Sequence, residues 1–254
     1  MLKFKTINSI TVILLLLVIL LNMSYWYLII LLFLWCVVTI IGSFNIKWNY
    51  HLNSLNSNYS IENNYIGLTF DDGPNEEFTP QVLKLLKAHN AKATFFCIGK
   101  HIKQHPELFQ NIIDEGHTVG NHTYTHDKQF GFFNTKRVVS ELFETSTVIK
   151  NASGLNVVLF RPPYGVTNPS IANAVKKSDL KSIGWSVRTL DTTSKSKKSI
   201  IESVQRKVKK GDVILLHDTS TKSIEVLEQL LVLLKEKQLE SVTIPTLFNI
   251  KAYA

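Results

Sequence analysis

Asp71 and Asp72 stand side by side in TFDDGP, at the end of an apolar run and against a Gly-Pro stop. Neighbouring carboxylates repel, which raises the pKa of one of them unless a cation separates their roles. In a regular strand they would point to opposite faces, and Gly73 and Pro74 supply a break at which both can converge. HTYTH spaces His122 and His126 four apart, which lets both imidazoles face one side of a helical turn and offer two nitrogens to one ion. With an aspartate added, the pair makes a three-ligand site with open positions, suited to Zn²⁺ as a hydrolytic Lewis acid or to Fe²⁺ in an oxygenase. In FRPPYG, Arg161 brings a guanidinium shaped for bidentate pairing with a carboxylate. ILLHD ends an apolar strand at His217, where an imidazole oriented by a carboxylate serves as a general acid.

Such residues need a scaffold that gathers distant strand ends. From Tyr65 onward, short β-favouring runs alternate with stretches of helical periodicity. YIGLTF ends at Asp71, and TPQVLKLLKAH predicts a helix with Thr79 as N-cap and Pro80 at its first position. Further strands are predicted in KATFFCIG, HTVGNH, VVLFRPPYG, LKSIGWSV and DVILLH, with SVTIPTLF completing a series of about seven. Helices are predicted between them in HPELFQNIIDEG, in NTKRVVSELFETSTVIKNASG with its Gly154 stop, in NPSIANAVKKS, in a basic stretch around 196–210, and in KSIEVLEQLLVLLKEKQ. This order implies a parallel sheet covered by helices, either an open doubly wound sheet or a closed barrel. In both, reactive groups gather at the C-terminal strand ends, where Asp71, Asp72, His122, His126, Arg161, Asp191, His217 and Asp218 all fall.

Between Lys5 and Lys47 the chain of 254 residues carries no charged side chain, too long a run for the apolar region of a signal peptide. It predicts a membrane anchor over residues 1–46, integral and in contact with lipid. A polar break at Asn22 and Ser24 favours a hairpin of two transmembrane helices, about 8–23 and 25–43, over one helix that would overshoot a hydrocarbon core of roughly 30 Å. Residues 47–64 read as a linker and 65–254 as the catalytic domain. Lys3 and Lys5 favour a cytoplasmic N-terminus. Two spans would return the domain to that side and one would export it, so the side stays open.

The formal charge of +8 falls to +6 without the first 46 residues, which carry Lys3 and Lys5 and no acid. So mild a balance gives no reason to expect a nucleic-acid partner. The basic stretch KSKKSIIESVQRKVKK reads as a solvated helix face, with anionic lipid or polymer as the alternative contact. Cys36 lies in the apolar run and Cys97 in ATFFCIG, which predicts neither a disulfide nor a cysteine metal site.

Taken together and in order, TFDDGP, HTYTH, RPPYG and LLHD resemble the polysaccharide deacetylase family, the NodB-homology or carbohydrate esterase family 4 domain, over about Tyr65 to Ile250. The resemblance implies a distorted (β/α) barrel with fewer than eight strands. It also implies a divalent metal, usually zinc, and removal of N-acetyl groups from aminosugar polymers such as peptidoglycan or chitin-like glycans. In that pattern Asp71 matches the general base, Asp72, His122 and His126 the metal ligands, Arg161 the partner of the base, and His217 the general acid. The backbone amide of Tyr164 falls where the family helps to hold the oxyanion, and Leu215 where it lines the pocket for the acetyl methyl.

One motif departs from the family's Trp-Ser-x-Asp-x-x-Asp-Trp. WSVRTLDTT keeps Trp185 and Asp191, which is placed to orient His217, but has Arg188 for the first aspartate and Thr192 for the second tryptophan. That removes a sugar-stacking wall and leaves the identity of the glycan open. Two other functions share these residues. An O-acetyl esterase would use the same metal and base, and a weakly catalytic, membrane-tethered carbohydrate-binding module would use the barrel face without turnover. A binder has no need of Asp71, Asp72, both histidines and His217 together.

Overall fold

Along residues 65–71, Ile66, Leu68 and Phe70 turn outward into an apolar layer beneath helices, whereas Thr69 and Asp71 turn inward. The same period of two runs through 213–217, where Ile214 and Leu216 join the outer layer and Val213 and Leu215 an inner cluster. Phe96 and Leu159 join that inner cluster from two further strands. Alternation thus sorts the strands into a helix-covered outside and an inside at whose end Asp71, Arg161 and His217 lie.

The computed structural model describes residues 3–254. Two apolar helices, α1 (Phe4–Leu20) and α2 (Trp26–Phe44), come first, followed by β1 (Ser54–Leu55), β2 (Tyr65–Asp71), α3 (Thr79–Ala88), β3 (Thr94–Cys97), α4 (Gly99–Gln104), α5 (Pro106–Asp114) and β4 (Thr118–Asn121). The chain continues through α6 (Thr135–Ser153), β5 (Leu159–Phe160), α7 (Pro169–Lys177), β6 (Lys181–Ile183), β7 (Val187–Arg188), α8 (Lys197–Lys207), β8 (Val213–His217), α9 (Thr221–Glu236), β9 (Glu240–Val242) and α10 (Ile244–Phe248). The strands pair in the order β1-β6-β5-β4-β3-β2-β8-β7, with β9 also on β2, and every ladder is parallel. The chain steps from β6, near one end of this order, to β7 at the other through residues 184–186 alone. The sheet is therefore curled into a distorted half-barrel and is not an open doubly wound sheet. At the N-terminal strand ends Ile244 and Leu247 of α10 pack over Gly67, where a Cβ would meet Ile244 Cδ1 at 2.9 Å. That mouth is plugged, and the chemistry is left to the opposite one.

Among the described residues, nine strands replace the expected series of about seven. LKSIGWSV is two strands, β6 and β7, and β1 pairs with β6 upstream of Tyr65. The strand in VVLFRPPYG is cut to two residues because Pro162 and Pro163 have no N–H to give a ladder. Thr79 is not the cap of α3. It lies inside the helix and its hydroxyl accepts the Asn75 N–H at 2.7 Å, while Asn75 Oδ1 takes the N–H groups of Glu77 and Phe78. Asn134 caps α6 and Gly154 ends it with φ +75°.

Helix α2, with 19 residues, is long and apolar enough to cross a bilayer, and α1 is a shorter apolar helix of 17. The break between them spans residues 21–25. Both outer ends meet the rest of the protein: the Phe4 N–H donates to Tyr50 O at 3.0 Å, and the Thr167 N–H to Ser43 O at 2.9 Å. Cys36 and Cys97 are both free.

Candidate active site

The inward end of β2 meets a cation from the residue that follows β5. Arg161 is wholly buried, and its Nη1 donates to Asp71 Oδ1 and to Thr69 Oγ1, both at 2.8 Å. Nη2 donates to Gly184 O at 2.8 Å and Nε to Ile183 O at 3.1 Å, and the guanidinium lies 4.2 Å from the Phe96 ring centroid. Burial pulls the Arg161 pKa down against the opposing pull of Asp71. All three guanidinium nitrogens are engaged, so Asp71 keeps one oxygen fixed and turns the other toward His122, whose Nε2 is 3.9 Å away.

Immediately after β2, Asp72 takes φ +76°, which breaks the alternation and brings its carboxylate beside that of Asp71. Asp72 Oδ1 lies 3.3 Å from His122 Nε2 and 3.2 Å from His126 Nε2, and the three donor atoms fall within 4.8 Å of one another. That oxygen is buried and has no hydrogen-bond partner. His122 Nδ1 lies 2.8 Å from Arg161 O, an acceptor only, so Nδ1 carries a proton, and in the neutral ring it is the Nε2 lone pair that turns into the site. Burial opposes charge on Asp72 and on His122, yet the histidines pull the Asp72 pKa well below the usual carboxylate range and the two aspartates raise that of His122. An orphaned buried carboxylate oxygen between two imidazole nitrogens is the environment a divalent cation satisfies.

The two histidines do not share a helical turn. Residues 122–127 form a loop in which Thr123 (φ 66°) and His126 (φ 51°) take left-handed conformations that no right-handed helix accepts. Buried Glu141 of α6 holds this loop: Oε2 accepts the N–H groups of Tyr124 at 2.9 Å and Thr125 at 2.8 Å, and Oε1 accepts the Thr125 hydroxyl at 2.8 Å.

Across the cavity, His217 Nδ1 meets Asp191 Oδ1 at 3.0 Å, and its backbone N–H donates to Asp191 Oδ2 at 2.9 Å. Asp191 is wholly buried and also accepts the hydroxyls of Thr189 at 2.7 Å and Ser223 at 2.8 Å. Burial works to lower the His217 pKa, but the hydrogen bond and charge of Asp191, with Asp71 and Asp72, push it up to about 9. The Nε2 end of the ring is left for the cavity.

The cavity, about 160 Å³, is lined by Asp71, Asp72, His122, His126 and His217, together with Tyr164, Leu215, Trp185, Arg188 and Thr192. The Tyr164 ring packs tilted against His126, centroids 4.7 Å apart and planes at 55°, and its hydroxyl is 3.3 Å from His126 Nδ1. Gly165 (φ +69°) lies against Trp185, where any Cβ would collide with the indole. Of the strand-end residues, Asp218 alone turns elsewhere, buried behind Gly73 with the Thr79 hydroxyl as donor, and burial pushes its carboxyl up to about 7. Glu141, Thr69, Thr189 and Ser223 were not singled out by the sequence, because nothing in the spacing of a buried acceptor or hydroxyl marks its partner.

Residues 59–183 match the polysaccharide deacetylase family. A peptidoglycan-N-acetylglucosamine deacetylase of Bacillus cereus is 34% identical over 188 residues, covering 72% of this chain and 68% of the relative. The chain belongs to the polysaccharide deacetylase family. A second member, the peptidoglycan-N-acetylmuramic acid deacetylase PdaC of Bacillus subtilis, is 32% identical over 73% of this chain, which spans only 39% of that longer protein. The crystal structure of the Bc1960 peptidoglycan N-acetylglucosamine deacetylase superposes with a TM-score of 0.74 at 31% identity, covering 79% of this chain and 94% of the other. As in that deacetylase fold, parallel strands curl around one mouth.

Proposed function

We propose that this protein is a metal-dependent hydrolase that removes N-acetyl groups from aminosugar glycans of the peptidoglycan or chitin type. The observation that carries the reading is the orphaned Asp72 Oδ1 between His122 and His126, flanked by Asp71 and His217. Asp72, His122 and His126 would hold the cation, and their N,N,O donor set suits Zn²⁺. When bound, such an ion supplies Lewis-acid polarisation of an acyl oxygen and activation of water. Asp71, fixed by Arg161, takes the proton of the attacking water, and His217, fixed by Asp191, gives a proton to the departing amine. The Tyr164 backbone amide and Leu215 complete the assignment, as oxyanion donor and as the wall against the acetyl methyl.

Helices α1 and α2 are read as a membrane-anchoring hairpin. Their lengths of 17 and 19 residues both fall within the roughly 17–25 residues that a span requires. Because α1 begins beside Tyr50 of the linker and α2 ends beside Thr167 of the catalytic domain, the tip at residues 21–25 is the far end, and the start of α1 lies on the catalytic side.

The test is acetate release from N-acetylglucosamine oligomers by the full-length, Zn²⁺-loaded protein. Asp71→Asn should reduce the rate by about 10²–10⁴-fold while metal content, by elemental analysis, is retained. Release from O-acetylated glycans alone would establish an esterase. Binding without release from either would leave a carbohydrate-binding module, which has no use for an acid and a base that each have a dedicated partner.

A further inference from the structure

The cavity holds one charged side chain that the proposed chemistry does not use. Arg188 ends β7 and pairs in register with Leu215, and both line the cavity. Its side chain is exposed. Arg161 and Arg137 each pair with a carboxylate, at 2.8 and 3.2 Å, whereas among the described residues Arg188 forms no ion pair and no side-chain hydrogen bond. Its contact inside the protein is the Trp185 ring, 5.8 Å from guanidinium carbon to centroid, at the outer limit of a cation–π interaction. The indole steadies the side chain and leaves the N–H fork free.

The cavity's own acids do not neutralise it. Asp71 is engaged by Arg161, and Asp72 faces the two imidazoles. At about 160 Å³ the cavity is smaller than the roughly 300–1,000 Å³ of pockets that enclose a drug-sized ligand. It therefore encloses the scissile group and leaves the flanking sugar substituents at the rim. Arg188 and Thr192, both exposed, form that rim. A planar fork with free donors is matched in geometry and charge by a carboxylate.

We infer that Arg188 is a specificity-determining residue that selects glycans carrying a carboxylate beside the N-acetyl group that is removed. The inference rests on the deacetylase reading and narrows its substrate to acidic aminosugar glycans, against neutral ones of the chitin type.

The experiment compares an N-acetylated glycan fragment bearing sugar carboxylates with the same fragment after those carboxylates are amidated. Binding to the full-length, Zn²⁺-loaded protein is measured by calorimetry, and acetate release in parallel. The wild type should prefer the acidic form by about tenfold or more, the scale of a charge-assisted hydrogen bond. In turnover the preference should lie in KM. Arg188→Ala should abolish it and Arg188→Glu invert it. The position is exposed, so both variants should fold, and thermal unfolding checks that they do. A wild type indifferent to amidation, or an Arg188→Ala variant that keeps the preference, would overturn the inference. Selective binding with no acetate released would support it and count against the hydrolase reading alone.

Discussion

Arg161 Nη1 sits 2.8 Å from Asp71 Oδ1 with its guanidinium wholly buried, so the base at the reacting centre is also the counter-ion of a core cation. Removing either partner leaves a buried charge unpaired. Arg161→Ala should destabilise the protein by about 3–5 kcal/mol in chemical denaturation and abolish turnover. Arg161→Lys keeps the charge but loses the fork that reaches Gly184 O and Ile183 O together, so it should fold with a lowered Tm and reduced kcat. Equal stability of wild type and Arg161→Ala would show that the pair does not hold the barrel.

His217, with its pKa raised to about 9, is protonated at neutral pH and available as an acid. The sign follows: activity should fall as pH rises through about 9, where the proton is lost. Asp191→Asn removes the partner that raises the value and should move this alkaline limb to lower pH. Because the folded value exceeds the unfolded one of about 6.5, the pairing stabilises the fold fully below that pH, and the contribution is lost as pH rises through the folded value. The kcat profile of wild type and variant tests the first sign and chemical denaturation across the same pH range the second, and an unmoved kcat limb would remove His217 from the acid role.

Metal should stabilise the protein by mass action. At Zn²⁺ about a hundredfold above Kd the gain is about 2.7 kcal/mol, visible as a rise in Tm that a chelator reverses. His126→Ala should lose metal occupancy and the Tm response together, whereas Asp71→Asn should keep both. Undiminished occupancy in His126→Ala would exclude it from the ligand set.

Glu141 touches no candidate ligand, yet it accepts three hydrogen bonds from the loop that carries two of them. Glu141→Gln turns one acceptor into a donor and should weaken Zn²⁺ affinity by about tenfold or more, read by competition with a chromophoric chelator. Affinity equal to wild type would mean that the loop is held by its own backbone.

A hairpin fixes the relative sidedness of the two termini. Reporters active on one face of a bilayer, fused at the N-terminus or the C-terminus, should give the same answer, because the start of α1 bonds to Tyr50 of the linker and the end of α2 to Thr167 of the catalytic domain. Opposite answers would leave α2 as the one span.

The strand ends were legible because each apolar run stops at a titratable residue: Asp71 closes β2 and His217 closes β8. Asp191 was legible from its motif, although it lies beyond β7 and reaches His217 only through Leu190 at φ 63°. The HTYTH spacing suggested a helical turn that left-handed Thr123 and His126 forbid, since spacing reports distance along the chain and not backbone sign. What requires glycine at 184, inside LKSIGWSV, was hidden because it lies elsewhere: a Cβ there would collide with Asn56, from the segment after β1. Supports such as Glu141 and Ser223 come from helices distant in sequence, where a polar residue on a buried face resembles any other.

Asp72, Thr123, His126, Tyr164 and Leu190 all hold positive φ around one mouth, a conformation that costs an L-residue roughly 1–2 kcal/mol. Glycine would relax each of them, so the easiest gains in heat tolerance lie where the donor atoms are aimed. A lineage under thermal selection would have to harden its helices and leave this ring alone.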